Sequence, residues 1–261
     1  MERAVALVTG ASTGIGAAFA HALAGRGNDL VVVARNELRL KDLAGTLERE
    51  RGGAVEVLPA DLETDDGIAK VEARLGDGAR PVELLVNNAG FATTGRFHEL
   101  PIESEIAEIT LNVIAVVRLA HAALGPMVER GHGGVINVSS VGAYQPTPNS
   151  ATYSATKAFV SSFTNAVHEE LHGTGVKAMV LTPGFTHTEF HLRANVAHDS
   201  SLPEFVWQSP DEVVKAALKA YDKGRAVCIP GALNAIAAAF SGTMPAAVTR
   251  KIAGMVTKRT Y

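Results

Sequence analysis

Ala4-Val-Ala-Leu-Val-Thr9 runs without interruption into Gly10-Ala11-Ser12-Thr13-Gly14-Ile15-Gly16, and the reading of the whole chain turns on this junction. An unbroken aliphatic run suits a strand buried on both faces. The glycines suit a tight turn and close backbone approach, and a helix starting near Ile15 offers free N–H groups and the positive end of its dipole. At a first strand–helix junction this is the place for a pyrophosphate, so residues 10–16 read as a dinucleotide cradle. With 25 glycines in 261 residues, chance alone gives such a triple roughly 0.25 times, and an ordinary glycine turn is the competing reading.

Working outward, short β-branched runs recur at residues 29–34, 54–58, 82–86, 134–138, 176–181 and 226–229. Between them, residues 15–24, 37–50, 65–75, 103–129, 152–172 and 210–221 carry helical apolar spacing. The β-α-β alternation predicts right-handed crossovers and a doubly wound α/β domain, with a mostly seven-stranded parallel sheet covered by helices on both faces. Ser209, Pro210 and Glu212 mark the start of the last of these helices. Residues 183–208 lack a period, a length of loop that predicts a substrate lid.

Hydrophobic residues make up 47% of the chain and charged residues 20%, a composition for a folded core rather than disorder. The apolar run 111–124 contains Asn112, Arg118 and His121, so a core helix is expected rather than a membrane span. Met1-Glu2-Arg3 leads at once into the first strand with no h-region or cleavage site, which predicts no secretion signal. Cys228 is the only cysteine, which excludes an intrachain disulfide or a cysteine cage and fits a reducing, cytoplasmic compartment. Net charge is −3, yet residues 223–261 carry six basic and no acidic side chains. The remainder is therefore acidic, and nucleic acid is not an expected partner.

The glycine spacing departs from G-x-G-x-x-G, and here the chain resembles the short-chain dehydrogenase/reductases, which carry the G-x-x-x-G-x-G variant. Further features match that family in order: Asn87-Asn88-Ala89-Gly90 after strand four, Asn112 in the next long helix, Ser140 after strand five, Tyr153 with Lys157, and Pro183-Gly184 after strand six. The resemblance covers about residues 4–230, and the conjunction is far more specific than any one piece. It implies a single Rossmann-type catalytic domain over 1–261, and hydride transfer between a nicotinamide and a carbonyl or secondary alcohol. It also implies cofactor contacts from Gly10, Ser12, Thr13, Gly14, Ile15, Gly16, Asp61, Leu62, Asn88, Ala89, Gly90, Tyr153, Lys157, Pro183, Gly184 and Thr188. The plainer reading of Asp61 is a turn or cap.

The chemistry is consistent with the residue types. On a helix Tyr153 and Lys157 share one face at i, i+4, and a neighbouring ammonium is expected to draw the phenol's pKa down toward working pH. Tyr153 is the expected proton donor to the developing alkoxide, with the Ser140 hydroxyl beside it on the carbonyl oxygen; Ser139 is the alternative. By resemblance, Lys157 also binds the nicotinamide ribose and Asn112 holds a water in a proton relay. At the end of strand two, Ala34 stands where NAD-preferring members usually carry Asp, and Arg35 follows. That favours NADP(H), with NAD(H) as the alternative.

Tyr144, Phe185, His187, Phe190, His191 and Trp207 are the candidate walls of the substrate pocket. The i, i+4 pairs His187/His191 and His168/His172 lack the Glu of H-E-x-x-H and a third ligand, so no metal is expected. A homodimer or homotetramer built on residues 103–129 and 152–172 is expected from the resemblance. Residues 231–261 read as a packing or oligomer segment, with a membrane-surface helix less favoured because Gly242, Pro245 and Gly254 interrupt it. A 3-oxoacyl-thioester reductase and a non-catalytic NADP(H)-sensing protein are the alternatives to a general carbonyl reductase.

Overall fold

The computed structural model describes residues 3–190 and 204–243. Its seven strands are β1 (Val5–Thr9), β2 (Asp29–Ala34), β3 (Val55–Pro59), β4 (Val82–Asn87), β5 (Gly133–Val138), β6 (Val176–Leu181) and β7 (Val227–Cys228). They form one all-parallel sheet in the order β3-β2-β1-β4-β5-β6-β7. The chain first winds outward from β1 to β3, then returns to place β4 on the other side of β1. This reversal opens a crevice between the carboxyl ends of β1 and β4, where ligands bind in such sheets.

Eight helices cover the sheet among the described residues: α1 (Gly14–Gly25), α2 (Glu37–Arg51), α3 (Asp65–Leu75), α4 (Ile102–Ile109), α5 (Ala115–Arg130), α6 (Ala151–Glu170), α7 (Pro210–Asp222) and α8 (Ala232–Thr243). All of β1 is buried because helices pack on both of its faces. One core forms around Phe19, Leu30, Val32, Leu40, Met179 and Leu181 with α7, and the other around Leu7, Val31, Ile68, Leu85, Leu119 and Met127.

Local sequence fixes the helix ends. Asn36 and Thr64 accept from the third residues of α2 and α3, and Ser209 and Glu212 form the capping box expected at α7. Pro59 closes β3, an edge strand, where a missing N–H is tolerated.

Two expectations change in detail. The helix expected over 103–129 is a continuous run from Ile102 to Arg130, interrupted by a π turn at Thr110–Ile114. A wider turn of this kind leaves the 3.6-residue apolar period almost intact, so periodicity does not reveal it. By length and composition this run is apolar enough to cross a membrane, yet Leu111, Ala115, Leu119, Ala123 and Met127 pack into the second core. The strand expected over 226–229 contains only two residues. Of the expected tail, 231–243 is described and contains α8; 244–261 lies outside the described residues.

Candidate active site

The cradle is built where β1 ends. Gly10 and Gly14 have φ of +66° and +56°, and a Cβ on Gly10 would stand 2.8 Å from Asn88 Nδ2. Thr9 ties the neighbouring strand in place: its buried Oγ1 accepts from the backbone N–H groups of Asn88 and Ala89, at 3.0 Å each. Asn88 Nδ2 in turn donates to the Thr9 carbonyl at 3.0 Å. Thr9 is thus a structural member of the site that the sequence reading passed over, although it stands inside the quoted motif.

The residues fit a dinucleotide. Thr13 at the N-cap of α1 makes no side-chain cap bond and the first turn carries no acid, so the first N–H groups of the helix face the crevice without a side-chain acceptor. Thr188 leans over the same turn, since a Cβ on Gly14 would stand 2.9 Å from its Cγ2. Asp61 does what its plainer reading predicts: its Oδ1 accepts from Glu63 N at 3.1 Å, organising the turn before α3, while Leu62 is buried.

Arg35 lies at the end of β2, but it is not alone. Its Nη1 meets Glu63 Oε1 at 2.7 Å, with side chains 59% and 24% exposed. The pairing was not legible from local sequence, because the two residues are brought together by β2–β3 register. Arg39, on the first turn of α2, pairs with Glu189 at 2.9 Å and links that corner to the loop after Thr188.

Across the crevice, Ser140, Tyr153 and Lys157 converge. Ser140 leads into a short turn at Val141–Tyr144, where its Oγ accepts from Gly142 N at 3.1 Å. A Cβ on Gly142 would stand 3.5 Å from Ser140 Oγ and 3.8 Å from a ring carbon of Tyr153, which puts the two side chains side by side. Ser139 is engaged elsewhere: its buried Oγ donates to the Lys157 carbonyl at 2.7 Å and lies 2.8 Å from Ser161 Oγ. Lys157 is buried, donates to the Val138 carbonyl at 3.0 Å and holds its ammonium 5.8 Å from the Tyr153 ring centre.

Asn112 is fully buried at the π turn. Its Nδ2 donates to Phe91 O at 2.9 Å and to Thr156 Oγ1 at 3.2 Å, and its Oδ1 accepts from Phe91 N at 3.3 Å. A Cβ on Gly90 would stand 2.8 Å from Asn112 Oδ1 and 3.3 Å from Lys157 Nζ, so glycine lets these two groups share one side of the backbone.

The electrostatics differ from the simple expectation. Burial, opposed by the neighbouring Ser140 hydroxyl, pushes the Tyr153 hydroxyl up to about 12. Burial likewise pulls Lys157 down to about 8. Desolvation disfavours both charged forms and outweighs the attraction expected from i, i+4 placement.

The proposed pocket walls divide. Phe190 packs on Tyr153 with ring centres 5.7 Å apart, and the half-buried Tyr144 closes the turn beside it. Phe185, His187 and Trp207 form a separate cluster: His187 stacks on Trp207 at 4.9 Å, and Phe185 tilts against it at 5.4 Å. Trp207 is only 8% exposed, packed against His187 and Phe185. His187 Nε2 meets Glu204 Oε1 at 3.0 Å, and His168 Nδ1 meets the Ala178 carbonyl at 2.7 Å. His191 and the remainder of the proposed lid, 191–203, lie outside the described residues.

The start of the loop is clamped. Thr186 bridges to Gln208; Gln208 N donates to Phe185 O and His187 N to Gln208 O, each at 3.0 Å. Asn234 of α8 donates to Gln208 Oε1 at 3.1 Å and to Pro230 O at 2.9 Å. A Cβ on Gly184 would fall 2.3 Å from Asn234 Nδ2. No local motif announces Asn234, which sits in an alanine-rich stretch.

The sequence model of the short chain dehydrogenase family matches residues 4–198. The chain belongs to that family of oxidoreductases. A short chain dehydrogenase from the fungus Pseudocercospora fijiensis is 38% identical over 195 residues, which cover 72% of this chain and 62% of that protein. A short-chain dehydrogenase from Sphingobium yanoikuyae, solved in complex with NADPH, is 40% identical with a TM-score of 0.84, covering 92% of this chain and 94% of its own. A bulky-bulky ketone specific alcohol dehydrogenase from Comamonas testosteroni is 34% identical with a TM-score of 0.79, covering 88% and 87%.

Proposed function

We propose that this protein is an NADP(H)-dependent oxidoreductase that interconverts a ketone or aldehyde and its alcohol, with Tyr153 as the general acid in reduction and the general base in oxidation. The observation that carries this reading is the convergence of Ser140, Tyr153 and Lys157 beside a glycine turn able to receive a dinucleotide. Gly10 to Gly16 would hold the pyrophosphate, Arg35 the ribose 2′-phosphate, and Asn88 to Gly90 with Lys157 the nicotinamide side. The reduced nicotinamide supplies a hydride to the carbonyl carbon when bound.

As negative charge gathers on the carbonyl oxygen, the Ser140 hydroxyl donates a hydrogen bond to it and Tyr153 delivers its proton. The ordinary phenol keeps that proton well above neutral pH, so the donor form is available throughout the working range. The phenolate left behind is stabilised by the Lys157 ammonium, whose positive form persists below about 8. Asn112 fixes the backbone of Phe91 and the π turn beside Lys157.

The NADPH bound by the Sphingobium relative and the basic Arg35 favour NADP(H). The bulky ketones named for the Comamonas relative suit a wall built from Phe190 and Tyr144, and we assign a bulky ketone as the substrate class. Exposed Ile102, Ile106, Ile109 and Phe159 on α4 and α6 favour a homo-oligomer assembled on those helices.

The test is Tyr153→Phe. Turnover of a bulky aryl ketone, followed by NADPH absorbance, should fall at least a hundredfold, in line with the loss of general acid catalysis. Folding and NADPH affinity should be retained. Undiminished turnover in the variant would remove Tyr153 from the mechanism.

A further inference from the structure

Glu105 and Glu108 occupy the inner face of α4 and are 3% and 0% exposed. Acidic residues are seldom buried to this extent without partners for every oxygen. Glu108 Oε2 is well held, accepting from Thr93 N at 2.9 Å and from Thr93 Oγ1 at 2.6 Å. Glu105 Oε2 accepts from Thr152 Oγ1 on α6. The second oxygen of each carboxyl group is buried with no hydrogen-bond partner, as is Thr94 Oγ1.

Six such orphaned side-chain atoms occur among the described residues, and half of them belong to Thr94, Glu105 and Glu108, on α4 and the loop it packs against. That concentration lies one helical turn before Asn112, and Asn112 Oδ1 shares the Gly90 surface with Lys157 Nζ. Among the described residues, the titratable groups acting on Glu108 are Glu105 from its own helix and Lys157 from α6, and its charge reaches Tyr153 as well. The loop at 91–94 and the π turn contribute no titratable side chain there.

We propose that Glu108 is a positioning residue for the proton-transfer machinery: Thr93 fixes its buried carboxyl group one helical turn before Asn112, and its negative charge keeps Lys157 protonated. Physical reasoning supports this over a purely structural role. A carboxyl group that only filled space would be replaced at no loss by an apolar residue, and its orphaned oxygen would be a pure cost. Against a buried ammonium the same charge is useful, because desolvation alone drives Lys157 toward the neutral amine. Burial, helped by the neighbouring Glu105, raises the pKa of the Glu108 carboxyl group, and the two Thr93 hydrogen bonds with the Lys157 charge oppose that rise and favour the anion.

This inference rests on Lys157 acting with Tyr153 as proposed above. It is tested without turnover, so the two readings fail separately. The full-length protein is labelled with [ε-13C]lysine, the Lys157 signal is assigned by its loss in Lys157→Arg, and its titration midpoint is measured in wild type and in Glu108→Gln. Glutamine keeps an acceptor for Thr93 and removes the charge. The midpoint should fall by at least about half a pH unit, roughly a threefold change in the protonation constant.

Thr93→Val provides the second variant if Glu108→Gln does not fold. Removing the hydroxyl that favours the Glu108 anion should move the Lys157 midpoint in the same direction. An unchanged or raised midpoint in a folded variant would overturn the proposal.

Discussion

Arg35 and Glu63 make cofactor choice a question of competition rather than of one basic residue. A 2′-phosphate would meet a guanidinium whose Nη1 already donates to Glu63 Oε1 at 2.7 Å. Consider first Arg35→Ala. A charge-assisted hydrogen bond contributes about 1.5–3 kcal/mol, and Arg35, with 59% of its side chain exposed, belongs at the screened end. A loss of about 1.5 kcal/mol weakens NADPH binding roughly tenfold. NADH carries no 2′-phosphate and should be almost unaffected.

Glu63→Gln isolates the opposing charge. A phosphate on the free edge of the guanidinium would lie about 6 Å from the carboxylate, where two unit charges at an effective dielectric of about 40–80 repel by about 0.7–1.4 kcal/mol. Removing that repulsion should tighten NADPH binding about three- to tenfold, again with little change for NADH. Fluorescence titration with each cofactor reads all four comparisons, and the effects should shrink at high salt. Equal losses for NADPH and NADH in Arg35→Ala, or no loss for either, would refute the placement of the 2′-phosphate on Arg35.

Two further outcomes are expected. Because burial lowers Lys157 to about 8 while Tyr153 holds its proton to about 12, reduction requires a lysine form present below about 8 and lost above it. The profile of kcat/KM for NADPH should therefore be level below that point and then fall toward tenfold per pH unit; a profile level to pH 10 would show that the Lys157 charge is dispensable. Ile106, 55% exposed on α4, should lie in the contact between copies, so Ile106→Glu should reduce the scattering mass toward the 27.3 kDa of one chain. A wild-type protein of that mass would contradict the assembly.

Much of the fold was legible because buried parallel strands announce themselves. Residues 29–34 and 176–181 were placed to the residue, since apolar side chains fill both runs apart from Asp29 and Lys177 near their starts. The placement of Tyr153 and Lys157 together was legible for another reason: a fixed i, i+4 offset within one element, α6, brings them to one face whatever the tertiary packing. What escaped depends on tertiary neighbours. Glu105 and Glu108 look like solvent-facing acids in sequence, and only the packing of α4 against α6 and the 93–94 loop buries them. Glu63 reached Arg35 because paired β2 and β3 end side by side, and the stacking of Trp207 on His187 joins residues twenty apart that no local pattern links. The direction of the Tyr153 shift was misread for the same reason, because helix spacing reports the nearby cation and not the depth of burial.

The clamp among Gly184, Gln208 and Asn234 fixes one short segment beside the residues proposed to move the proton. Tyr153 and Lys157 stand on α6 and Ser140 follows β5, whereas Phe185 to His187 are fastened at Gln208, and Phe190 returns to pack on Tyr153. Changes at Phe185 to His187 that leave this clamp intact would then reshape the surface beside the crevice while Ser140, Tyr153 and Lys157 stay where they are. Selection, or a laboratory library confined to this stretch, has a region in which to explore new substrates without rebuilding the chemistry, provided that Gly184 stays small and Asn234 keeps its grip.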